Sequence, residues 1–200
     1  MIISMIGSHG TGKTTLCNSL ITKLGNEWSI FDDYYRKTAQ QLRYKTPREA
    51  VLENQAISQI SSTAMAGAAF GAMLEWLESI EGHGIIDTGP PSILAYHRYW
   101  LKVCDTPISP YMLRLAKTIS QKIDAFCYLP MGKIALENDG IRSNDTIFQK
   151  DIDQWVLCNN TDLEVHESKV LMVESTEIDE RTEECIKMIR SLLRYQKISS

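Results

Sequence analysis

Gly7-Ser8-His9-Gly10-Thr11-Gly12-Lys13-Thr14 fits the pattern G-x-x-x-x-G-K-[ST] without a mismatch. Glycines lack a Cβ, so successive backbone N–H groups can curl around an oligophosphate, while a lysine at this place reaches the β/γ-oxygens and the following hydroxyl suits Mg²⁺. Lys13 and Thr14 fill those two roles, and Thr15 comes next, at the start of a helix and within reach of a phosphate. The chemistry is binding of a nucleoside triphosphate, with Gly7, Ser8, His9, Gly10, Thr11, Gly12, Lys13, Thr14 and Thr15 as the cradle. The motif is specific for nucleotide binding and silent about the reaction.

Such a loop works only between a strand and a helix. Met1 to Ile6 is almost wholly apolar, as a strand buried on both faces should be. Leu16, Leu20, Ile21 and Leu24 then recur at helical spacing, and Gly25 stands where a left-handed cap is wanted. This order puts the positive end of the helix dipole at the phosphates.

A chain of 200 residues with 44% hydrophobic content suits one domain with a full core. Cys17, Cys104, Cys127, Cys158 and Cys185 form no C-x-x-C pair, which suits reduced, inert thiols in a cytosol. The apolar start lacks a basic n-region and breaks at Gly7, and no uncharged run approaches a bilayer span, so a soluble cytoplasmic protein is expected. A net charge of −4 argues against bulk adhesion to nucleic acid. Arg36, Lys37, Arg43, Lys45 and Arg48 nevertheless make a basic stretch, and Glu174 to Glu184 an acidic one.

Trp28 to Phe31 reads as a second strand ending in Asp32-Asp33-Tyr34-Tyr35-Arg36. Ligands of open parallel sheets sit outside the carboxyl ends of strands, so these acids and Arg36 are candidates for acceptor chemistry, with helix capping as the competing reading. Thr46-Pro47-Arg48-Glu49 is a capping box opening a long helical region. Its small residues, including Gly67 and Gly71, predict tight helix packing, with a substrate groove as the alternative. Gly84-Ile85-Ile86-Asp87 is a third strand ending in an acid suited to hold Mg²⁺ directly or through water. The helix after Thr88-Gly89-Pro90-Pro91 carries Tyr96, His97, Tyr99 and Trp100, expected as core. Helix 111–123, strand 126–129, the polar loop 131–146, helix 151–158, strand 170–173 and helix 178–193 complete the chain. Alternation of strand and helix predicts an α/β, three-layer P-loop NTPase fold with a five-stranded parallel sheet.

Four patches carry a resemblance across nearly the whole chain. Together with the phosphate loop, Asp33-Tyr34-Tyr35-Arg36, Asp87-Thr88, and Tyr128-Leu129-Pro130 followed by Asp139-Gly140-Ile141-Arg142-Ser143, Phe148 and Asp153 are similar to segments of the small P-loop kinases related to thymidylate and ribosylnicotinamide kinases. Most closely they resemble the AAA-named ATPase/kinase domain family of bacteria and phages. The resemblance implies a short lid at about 131–146 whose Arg142 approaches the transferring phosphate. It also implies Asp33 as acceptor-side base or binding acid, where that family usually carries Glu, and Arg36 as a substrate or phosphate contact.

The expected function is Mg²⁺- and ATP-dependent phosphoryl transfer to a nucleoside, nucleotide or related small acceptor. Lys13, Asp33 and Arg142 are the catalytic candidates, Asp33 and Arg36 the substrate contacts, Thr14 and Asp87 the metal ligands. Phage proteins resembling this family phosphorylate hydroxymethylated pyrimidines in DNA, which fits the basic stretch but not the net charge; a homodimer is compatible with the sequence. A nucleotide-dependent switch or partner-bound ATPase is the other class. GTP specificity is disfavoured: Asn159-Asn160-Thr161-Asp162 lacks the lysine of a guanine reader, and Asp87-Thr88-Gly89 has its glycine one place early.

Overall fold

The computed structural model describes residues 1–32, 34–47, 49, 58–103, 105–134 and 145–199. Five parallel strands form the sheet: β1 (Ile2–Ile6), β2 (Trp28–Phe31), β3 (His83–Ile86), β4 (Ala125–Tyr128) and β5 (Val170–Met172). Their order is β2-β3-β1-β4-β5, so β1 lies at the centre between β3 and β4. Every residue of β1 and β4 is buried, the pattern required when helices cover both faces. β5 is a sheet edge, and Met172 there is exposed.

Among the described residues the helices that cover the sheet are α1 (Lys13–Leu24), α2 (Tyr34–Gln41), α3 (Ser58–Ser79), α4 (Pro90–Val103), α5 (Pro110–Gln121), α6 (Thr146–Asp162) and α7 (Ile178–Ser199). Strand residues alternate between two cores. Ile3, Met5, Ile85, Ala125 and Cys127 face α1 and α7, packing with Leu16, Leu20, Ile186 and Ile189. Ile2, Ile6, Ile86, Phe126 and Tyr128 face the opposite layer, with Phe70, Met73, Leu94, Ile119 and Ile152. Each fully buried aliphatic side chain contributes roughly 1.5–3 kcal/mol, so the two cores together fix the sheet between its helical layers.

Several local expectations change in the folded chain. Helix α6 begins at Thr146, well before the Asp151 start expected from periodicity, because Asp145 caps it. The Asp145 carboxylate accepts from the Ile147 and Phe148 amides, each at 3.0 Å, and this polar first turn carries little apolar rhythm. Thr46 caps as expected, its Oγ1 accepting from the Glu49 amide at 3.0 Å, but the Glu49 carboxylate closes on the Lys45 amide, one residue before the one a reciprocal box would use. Among the described residues, a Cβ at Gly71 would meet nothing within 4 Å and one at Gly67 only Met112 Cε at 3.9 Å, so none of them makes the tight approach expected at these glycines. Cys17, Cys127, Cys158 and Cys185 are free thiols, all buried except Cys158. Among the described residues, no helix is long and apolar enough to cross a membrane.

Candidate functional site

The phosphate loop leaves the carboxyl end of central strand β1 and runs directly into α1. Gly7 and Gly12 adopt φ values of +140° and +85°, which side chains with a Cβ rarely take. Space adds to the requirement at Gly7, where a Cβ would lie 2.4 Å from the Leu129 carbonyl oxygen beyond β4.

Buried side chains from three helices hold the outside of the loop. Ser92 Oγ of α4 accepts from the Gly7 amide at 3.0 Å and donates to the Gly7 carbonyl at 3.2 Å. Gln149 Nε2 of α6 donates to the His9 carbonyl at 2.7 Å. Arg181 Nη1 of α7 donates to the Thr11 carbonyl at 2.8 Å. The intervening Ser8 carbonyl accepts from Thr11 Oγ1 at 3.0 Å and from Lys13 Nζ at 2.6 Å. Lys13 Nζ also donates to the Gly7 carbonyl at 3.1 Å, so its ammonium is held over the loop's own oxygens.

At the mouth, Thr14 Oγ1 donates to Asp87 Oδ2 at 2.8 Å. Asp87 follows β3, the neighbour of β1, and is 2% exposed, while Thr14 is open to solvent. A hydroxyl and a carboxylate oxygen this close are hard donors that fit Mg²⁺, which usually takes one or two protein oxygens and completes its shell with water and phosphate. Among the described residues no cluster of three or more His, Cys, Asp or Glu is placed to cage a metal. Cys17 lies behind the acid, its Sγ 3.8 Å from Asp87 Oδ1. Burial pushes this thiol well above its ordinary range, and the Asp87 carboxylate adds to the effect.

One flank of the loop is aromatic. His9 stacks on Phe148 of α6, with ring centroids 5.1 Å apart, and its Nδ1 lies 3.3 Å from the Tyr96 hydroxyl of α4. Tyr96 stacks on Tyr35 of α2 at 6.0 Å, and Phe148 meets the Tyr99 ring edge-on at 4.6 Å. The expectation that the α4 aromatics are core therefore holds for His97 and Trp100, which are buried, whereas Tyr96 and Tyr99 are only partly buried and turn toward the loop and α6. One turn along α6 from Gln149, Asp153 accepts from the Tyr128 hydroxyl at 2.7 Å. Burial first, and then this carboxylate, push the Tyr128 phenol far up.

Of the residues singled out from sequence, Gly7 to Thr15 and Asp87 come together as one site. Arg36 sits half-buried in α2, beside the Tyr35 that links this helix to Tyr96 and thus to His9. Asp33 and Arg142, with Asp139, lie outside the described residues. Sequence reasoning missed Ser92, Gln149 and Arg181. The one available signal was Arg181, a lone cation inside the acidic run at 174–184.

A family model described as an AAA domain matches residues 2–181. No curated protein matches the sequence. Among solved structures, the deoxyadenosine kinase from M. mycoides superposes with a TM-score of 0.61 at 14% identity, over 96% of this chain and 100% of that one. The thymidylate kinase from Candida albicans gives 0.57 at 15% identity, over 95% and 91%. Shikimate kinase from Acinetobacter baumannii gives 0.52 at 15%, over 97% and 93%. At these identities the likeness is one of fold, and it spans both chains almost entirely. With its phosphate loop after the central strand and its acid after the neighbouring one, the chain belongs to this AAA domain family and is built on the fold of the small P-loop kinases.

Proposed function

We propose that this protein transfers a phosphoryl group from ATP, with Mg²⁺, to a nucleoside, nucleotide or related small acceptor. The observation that carries the reading is the pairing of Thr14 with Asp87 at 2.8 Å beside an intact phosphate loop, in a fold shared with kinases of small acceptors. Thr14 and Asp87 would hold Mg²⁺, which supplies charge neutralisation across the phosphates.

Lys13 exchanges its two loop carbonyls for phosphate oxygens. That trade is favourable because a phosphate oxygen carries full negative charge where a carbonyl offers only a dipole. The acceptor binds against Tyr35, Tyr96 and the His9–Phe148 stack, with Arg36 on the same helix as Tyr35. Asp33 receives or orients the acceptor proton and Arg142 neutralises the transferring group, as their sequence positions imply. Catalysis of this kind is mainly positioning and electrostatic stabilisation. A single domain in the cytoplasm suits this role.

Incubating the protein and Mg²⁺ with γ-labelled ATP and a panel of nucleosides, nucleotides and hydroxymethylated DNA tests the reading. Label should pass to a nucleoside or nucleotide. Transfer to DNA alone would favour the modified-base kinase, for which Lys37, Arg43 and Lys45 offer an exposed basic stretch. ATP hydrolysis without any acceptor dependence would favour the switch or partner-bound ATPase.

A further inference from the structure

Arg181 is 1% exposed and stands on the side of the loop away from Asp87's strand, reaching it from the first turn of α7. Its Nη1 grips the Thr11 carbonyl at 2.8 Å, and its Nε donates to the Ser175 carbonyl. Nη1 also lies 3.1 Å from the place a Cβ would occupy on Gly12, where Ile134 Cδ1 closes in at the same distance. Nη2 is buried and has no hydrogen-bond partner among the described residues.

No carboxylate among the described residues forms an ion pair with it. Glu184, nearly a turn further along α7, accepts instead from the Ser175 hydroxyl. Burial holds the guanidinium below the usual arginine range, and the nearby Glu184 charge opposes that shift. It remains a cation at neutral pH.

A neutral donor would suffice if holding a carbonyl were the whole task. Gly7 and His9 are held in that way, by Ser92 and Gln149. Placing a cation instead, with no carboxylate paired to it among the described residues, is costly in a buried setting unless an anion supplies the missing charge. The loop it grips has a sequence built for a polyanion.

We propose that Arg181 is a positioning residue for the phosphate loop. Through Thr11 and Gly12 it fixes the loop in its phosphate-accepting shape, and its charge behind the loop favours bound polyphosphate. The inference rests on the reading of this loop as a nucleotide site. It makes Arg181 responsible for phosphate affinity whatever base or acceptor is bound.

The test measures binding of ATP and of inorganic tripolyphosphate, both with Mg²⁺, to the full chain, Arg181→Met and Arg181→Lys, alongside thermal melts without ligand. Arg181→Met should weaken both ligands by the same factor, roughly 10- to 100-fold, the scale of a hydrogen bond to a charged group. Arg181→Lys keeps the charge but cannot bridge Thr11 and Ser175, so both affinities should fall in step by a smaller factor. If Arg181→Met does not fold, that lysine comparison decides alone. A lowered melting temperature with both affinities unchanged would make the residue purely structural and overturn the proposal. Loss for ATP with tripolyphosphate unaffected would overturn it as well, by moving Arg181 to the nucleoside portion. Should the parent bind neither ligand, the nucleotide-site reading itself falls, and this inference with it.

Discussion

Thr14 Oγ1 and Asp87 Oδ2 meet at 2.8 Å although 73 positions separate them in the chain. Parallel pairing of β1 with β3 makes this possible, because it brings the loop after one strand and the acid after the other to the same edge of the sheet. Asp87→Asn keeps the shape and leaves an oxygen to accept from Thr14, but removes the charge. The Mg²⁺ requirement should rise and turnover fall by roughly 10²- to 10³-fold, as for other electrostatic contacts to transferring groups. An unchanged Mg²⁺ titration would leave Asp87 as a structural acid.

Lys13→Ala should abolish ATP binding and turnover while the protein folds normally. In the structure its ammonium donates to the Gly7 and Ser8 carbonyls, and without it Ser8 keeps Thr11 Oγ1 and Gly7 keeps Ser92 as donors. The stability change should therefore stay within about 1.5 kcal/mol. Calorimetric titration with ATP and a thermal melt check the two halves separately; ATP turnover like that of the parent would remove the loop from the active site.

Arg142 separates kinase from switch. If it meets the phosphoryl group only on closure over both substrates, Arg142→Ala should bind ATP within a few-fold of the parent while kcat falls by roughly 10²- to 10⁴-fold. Arg142→Lys should recover little, since a point charge does not replace a two-pronged guanidinium. Intact acceptor-dependent transfer in Arg142→Ala would end the lid assignment.

His97 predicts an acid-sensitive fold. It is buried on α4 with Nδ1 2.9 Å from Ser62 Oγ of α3, and burial, helped by the Arg98 charge, lowers its pKa from 6.5 to about 4. Between those values the unfolded chain binds the proton and the folded one does not, so stability falls as pH drops through this window. The loss should reach about 2 to 3 kcal/mol near pH 4. Urea unfolding at pH 7 and pH 5 should show the decline beginning in the parent, and His97→Gln should flatten it; an identical slope in both proteins would assign the acid sensitivity elsewhere.

By itself the sequence determined the strand, loop and helix that make the phosphate cradle, because each depends on residues within one turn or one pleat of the next. Ile2 to Ile6 is apolar at every place but Ser4, Gly7 and Gly12 tolerate positive φ, and Leu16 to Leu24 repeat at helical spacing. Asp87 was legible for the same reason, as an acid at the end of a short apolar run. Tertiary structure alone decided what surrounds the cradle. Ser92, Gln149 and Arg181 come from three helices up to 170 positions from the carbonyls they hold; nothing local distinguishes Ser92 and Gln149 from solvated side chains, and the acidic run around Arg181 does not say which carbonyl it holds. Tyr96 carried an apolar rhythm that fits core equally well, and only the approach of α6 turned it toward His9. Periodicity reports which face of an element is buried; the partner across that face is set by long-range packing, which the chain acquires only when the sheet has assembled.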